Sequence, residues 1–113
     1  MDDLFLNNIG NNFISILEKK NPSVDKDNLS INYRRTLKEL FDKHLELLHK
    51  QEKLLSLAKS EGDEILMQSA LLRLRSHAMS LSSFFDAIAD DAEFIIRLEG
   101  WPEIPEGYKQ PDE

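Results

Sequence analysis

Hydrophobic residues recur along this chain at helical spacing in three runs, separated by short polar breaks. The first run extends from about Asp3 to Lys19. Phe5, Ile9, Phe13 and Ile16 or Leu17 fall on one face, and Asp2 or Asp3 stands where an N-cap belongs. Gly10 and the neighbouring asparagines weaken this helix, so it needs a surface to lie on. Asn21-Pro22-Ser23 stops it. A polar linker leads to Ser30, read as the cap of a second helix that continues to about Ser60. Its stripe of Tyr33, Leu37, Leu40, Phe41, His44, Leu47, Leu48, Gln51, Leu54, Leu55 and Ala58 has the width of a core-facing surface. Ser60-Glu61-Gly62-Asp63 is the next break, with Gly62 suited to a left-handed C-cap and Asp63 to the following N-cap.

The third run, from about Glu64 to Leu98, is the strongest. Met67, Leu71, Leu74, Ala78, Leu81, Phe85, Ile88, Ala92 and Ile95 alternate by four and three without a polar interruption, a heptad pattern. Leu66, Ala70, Leu72, Phe84, Ala89 and Ile96 widen it into a surface that one neighbour cannot cover. Gly100-Trp101-Pro102 ends the run, and Pro102, Pro105 and Pro111 keep the remainder from being helical. The fold class expected is therefore all-α. Residues 1–100 form a helical domain with helices at about 3–19, 30–60 and 64–98, and 101–113 form an extended acidic tail. A helix of about 35 residues is roughly 50 Å long. A globule of this size has a radius of gyration of about 13 Å, too small to contain it. The second and third helices must then fold back as a long antiparallel hairpin. The first helix covers part of the hairpin's apolar surface. A homodimer with Leu71, Leu74, Ala78, Leu81, Phe85, Ile88, Ala92 and Ile95 at its core is expected to cover the rest.

Composition narrows the chemistry. The 113 residues contain no cysteine, which removes thiolate metal sites and cysteine nucleophiles. The acidic start lacks the pattern of a secretory signal, and no apolar stretch approaches the length of a membrane span, so a cytoplasmic protein is expected. His44 and His77 approach one another in the hairpin register, but neither has a second histidine four residues on. With Gln51 they read as polar residues that set register in a helical interface. The all-helical nucleotide pyrophosphohydrolases use paired E-x-x-E and E-x-x-D motifs. Here the E-x-x-E of Glu61 to Glu64 straddles the turn. Ser76, Ser80, Ser82 and Ser83 lack a base at nucleophile–base spacing. In size and helical-hairpin form the chain is similar to flagellar and type III export chaperones, although no motif ties it to them. No enzyme chemistry, metal or cofactor is expected.

Charge gives the remaining clue. Residues 1–85 balance twelve acids with twelve bases, so the net charge of −7 arises beyond them. Residues 86–113 hold nine acids against Arg97 and Lys109. Carboxylates crowding a helix C-terminus oppose the helix dipole, and net negative charge disfavours nucleic acid. Arg34, Arg35 and Lys38 form a compact basic cluster expected to lie beside Asp86, Asp90 and Asp91. Asp86, Asp90, Asp91, Glu93, Trp101 and Tyr108 are the candidate contacts to a partner protein with a basic surface. The function expected is a non-enzymatic interaction module: a small acidic regulator or inhibitor, or alternatively a secretion or assembly chaperone that covers a partner helix with its apolar face.

Overall fold

The breaks between helices are built from local hydrogen bonds. At the tip, Gly62 adopts φ 69°, the left-handed conformation that closes a helix, and its N–H returns to the carbonyls of Ala58 and Lys59. The carboxylate of Asp63 then accepts from the Leu66 N–H at 3.0 Å and starts the next helix. Further back, the Thr36 hydroxyl accepts from the Glu39 N–H and caps another start. A computed structural model describes residues 4–33 and 36–111. It contains α1 (Phe5–Lys20), a single 3₁₀ turn (Lys26–Asn28), α2 (Leu37–Glu61) and α3 (Glu64–Ile96). The described chain is all-helical, with α2 and α3 packed along one another as the hairpin the breaks require. It measures 60 × 34 × 23 Å, and its radius of gyration of 19.5 Å reflects the length of α3.

The hairpin seam follows a strict seven-residue repeat. On α3, Ala70, Phe84, Asp91 and Ile95 are buried, with Leu74, His77, Leu81 and Ile88 half-buried between them. On α2, Leu37, Gln51 and Ala58 are buried and His44 is half-buried at the remaining repeat position. The seam takes up half of the line expected at a homodimer core. Leu74, Leu81, Ile88 and Ile95 do lie in the seam, but their companions are Ala70, His77, Phe84 and Asp91. The expected companions Leu71, Ala78 and Phe85 are exposed, and Ala92 is half-buried. Each lies one residue further on, about 100° around the helix.

At the open end of the hairpin, α1 completes a three-helix layer. Leu6 packs with Leu37 and Phe84 in a buried cluster, bordered by Ile9, Ile31, Tyr33 and Ile88. The Asn7 side chain accepts from the Lys38 N–H at 3.2 Å. At the other end of α1, Lys20 donates to the Gly100 carbonyl at 3.0 Å. The helix therefore runs alongside the second half of α3 in the same direction. Gly10 is a contact rather than a weakness, because a Cβ there would stand 2.8 Å from Cδ1 of Tyr33.

Two expected boundaries shift. The second helix begins at Leu37, not near Ser30, because Ser30 to Tyr33 are held outside it by Asp91. The expected caps Asp2 and Asp3 lie outside the described residues, and α1 starts after Leu4 without a side-chain cap.

Candidate protein-interaction surfaces

The acidic end divides into an inner and an outer part. Asp91, expected on the partner-binding surface, is only 1% exposed. Its carboxylate accepts from the Ser30 N–H at 2.5 Å, the Ile31 N–H at 3.1 Å and the Tyr33 hydroxyl at 2.6 Å. Two backbone amides and a phenol thus satisfy this buried charge and tie the α1–α2 connection to α3. Burial pushes the Tyr33 phenol far above its ordinary range, and the hydrogen bond to Asp91 and its negative charge act in the same direction. The outer part remains on the surface. Glu93 bonds Arg97 one turn on at 2.6 Å, while Asp86, Asp90, Glu99, Glu103 and Glu106 are exposed. Arg34 and Arg35 lie outside the described residues; Lys38 pairs with Asp42 at 2.6 Å.

Beyond α3 the chain folds back once and then leaves. The Trp101 indole N–H donates to the Ile95 carbonyl at 2.9 Å, and the Lys20 ammonium stands 4.2 Å from its ring centroid. Trp101 therefore closes the end of α3 against α1, leaving part of its surface exposed. Residues 103–111 are exposed throughout, including Ile104 and Tyr108. Of the expected partner contacts, Asp86, Asp90, Glu93 and Tyr108 are on the surface, Trp101 is partly covered and Asp91 is internal.

The second surface lies along the hairpin. Leu71 and Phe85 are 53% and 49% exposed, and Ala78 and Ala89 are also exposed between and beyond them. They form a stripe on the flank of α3 turned away from Phe84 and Asp91, the side that α1 and its connection cover. Phe85 packs edge-on against Phe41 at 6.0 Å, so the stripe continues onto α2. There Leu45 and Leu48 line a groove of about 830 Å³ whose far wall is Leu74. This apolar face spans both helices. A second exposed line, Ile65, Leu72 and Met79, runs down α3 about 100° around the helix from Leu71 and leads to Asp86.

The seam beneath the face holds His44, Gln51 and His77 within a hairpin that no third helix covers at that level. Nδ1 of His44 and Oε1 of Gln51 are buried without a hydrogen-bond partner. Unpaired polar atoms weaken a two-helix seam and mark where it is least self-sufficient. Among the described residues, no three histidine, aspartate or glutamate side chains converge to hold a metal ion. Nor is any helix long and apolar enough to cross a membrane.

Three features were missed from sequence. The T-x-x-E of Thr36 to Glu39 carries the signature of a helix start and identifies the true beginning of α2. Its neighbours Ile31 and Tyr33 alternate as an extended segment does. No local signal marks Asp91, whose partners stand about sixty residues away. No protein-family model, curated protein or solved structure matches the chain.

Proposed function

We propose that the protein is a non-enzymatic protein-interaction module whose working surface is the apolar face of its α2–α3 hairpin, and that it acts as a homodimer. The observation that carries this reading is the continuous bare stripe of Leu71, Ala78 and Phe85 beside Leu45 and Leu48. A two-helix hairpin with one apolar face exposed lacks half of a four-helix bundle, and a second hairpin supplies it. Covering the face removes large aliphatic and aromatic side chains from water, the main source of free energy in such contacts.

A photoreactive residue placed at Leu71 tests the face in the cells that make the protein. Leu72 is the control, being 62% exposed but about 100° around the helix. Adducts from position 71 and none from 72 support the reading. Equal adducts from both, or none from 71, contradict it.

The acidic end favours a second contact, with a basic protein surface. Its support is that Asp86, Asp90, Glu99, Glu103 and Glu106 are exposed with Arg97 and Lys109 as the only bases beyond residue 85. A photoreactive residue at Tyr108 reports this contact. Adducts that disappear as salt rises from about 0.05 to 0.5 M support it, because exposed charge pairs are screened over that range. Adducts indifferent to salt contradict it.

A further inference from the structure

We propose that the occupant of the hairpin face is a second copy packed antiparallel, with the two-fold axis crossing α3 between Leu81 and Ser82. The inference rests on the reading of that face as a homodimer surface and adds the orientation and register of the two copies.

Size complementarity selects the register. Continued by the half-buried Ala92, the stripe alternates large and small at seven-residue steps: Leu71, Ala78, Phe85, Ala92. With the axis between Leu81 and Ser82, Ala78 faces Phe85 of the second copy and Leu71 faces its Ala92, so a large side chain meets a small one in every layer. Moving the axis to Ala78 sets Ala78 against itself and Leu71 against Phe85. Moving it to Phe85 sets two phenylalanines together and Ala78 against Ala92. A parallel pair sets every residue against itself. Each of these alternatives leaves a gap in one layer and an overfilled one in the next.

Charge selects the same register independently. Arg75 and Asp86 lie on the same side of the stripe, Arg75 beside it and Asp86 further round, both are exposed, and neither is in an ion pair among the described residues. In an antiparallel pair, equivalent flanks face each other. About this axis Arg75 comes within roughly 3 Å, measured along the helix, of the level of Asp86 in the second copy. By symmetry the pair forms twice. A parallel arrangement offers no such cross-pair at one level, because Arg75 and Asp86 are eleven residues apart on the chain.

The chain has no cysteine, so single substitutions report the register directly. Near the axis a residue meets its own copy, so Ser82→Cys should oxidise to a disulfide-linked pair. Ala78→Cys, one turn away, should not, because the two copies of position 78 lie about 10 Å apart along the axis. A disulfide from Ala78→Cys, with or without one from Ser82→Cys, overturns the register but leaves a second copy on the face. No disulfide from either, with light scattering at the single-chain mass, overturns the second copy as occupant. The adducts from Leu71 then decide the face separately. Circular dichroism establishes that each variant is folded. In a second arm, Arg75→Glu or Asp86→Arg alone should raise the dimer dissociation constant about tenfold, and the two together should restore it to within about twofold. Failure of the double variant to recover overturns the charge pairing.

Discussion

At the scale of single residues, Asp91 decides more of the structure than any other polar side chain. It is buried, accepts three hydrogen bonds and fixes the path of the chain between α1 and α2. Asp91→Ala leaves two amides and a phenol without their acceptor and should cost about 3 kcal/mol, read from denaturant unfolding. A loss below about 1 kcal/mol would mean that the connection holds without it. Tyr33 gives the same contact a pH dependence. Its phenol is raised above the ordinary value of 10.0, first by burial and then by Asp91. Below pH about 10 the phenol is protonated in both the folded and the unfolded chain, and its contribution is complete. Above that pH the unfolded chain releases the proton while the folded chain holds it, so stability falls as pH rises. Tyr33→Phe should be less stable than the parent at pH 8, and the gap should close between about pH 10 and 11. A constant gap across that range contradicts the assignment. Gly10 follows from Tyr33, because the ring that a Cβ would strike is held by Asp91. Gly10→Ala should therefore destabilise by about 1–2 kcal/mol, although alanine is the better helix former. A gain in melting temperature would show that the ring moves aside.

At the scale of elements, the hairpin was legible because its signals are local and repeated. Gly62 and Asp63 occupy the turn that their conformational preferences suit, and apolar periodicity along α2 and α3 locates both helices. Periodicity alone did not say which side of the broad α3 stripe faces inward. Two heptad lines share Leu74, Leu81, Ile88 and Ile95, and the one through Leu71, Ala78 and Phe85 is the more apolar. The seam instead takes the line with His77 and Asp91, because Asp91 finds its partners in the α1–α2 connection. That contact is distant in sequence, so no window along the chain reveals it. The same contact holds Ser30 to Tyr33 outside α2, which begins at Leu37 rather than near Ser30. The candidate site was legible in its charge and misread at Asp91. The two neighbouring phenylalanines test the assignment. Phe84 is 7% exposed, and Phe84→Ala should cost about 3–5 kcal/mol in chain stability. Phe85→Ala should cost markedly less than Phe84→Ala when both are measured on monomeric protein. Equal losses would place the seam on the wrong line.

At the scale of the whole molecule, the chain is a rod whose two ends differ. The tip is a bare two-helix hairpin, close to neutral, while the base holds three helices, the acidic residues and the tail. The buried, unpartnered atoms of His44 and Gln51 lie in the part of the seam that α1 does not reach. Packing a second hairpin over that region shields its leucines without changing the fold. In the antiparallel arrangement each base lies over the partner's tip, and the two acidic tails leave from opposite ends. Ile96 is about 22 Å from the proposed axis, so the proposed dimer would hold its tails roughly 45 Å apart. Everything in this picture depends on the hairpin face being covered by its own copy. Sedimentation equilibrium of the full chain, beside Phe85→Glu and the control Leu72→Glu, tests that dependence most directly. The account predicts twice the chain mass of 13.1 kDa for the parent and for Leu72→Glu, and a folded single chain for Phe85→Glu. A parent that stays at 13.1 kDa up to about 100 μM, or a Phe85→Glu variant that still pairs, would contradict it.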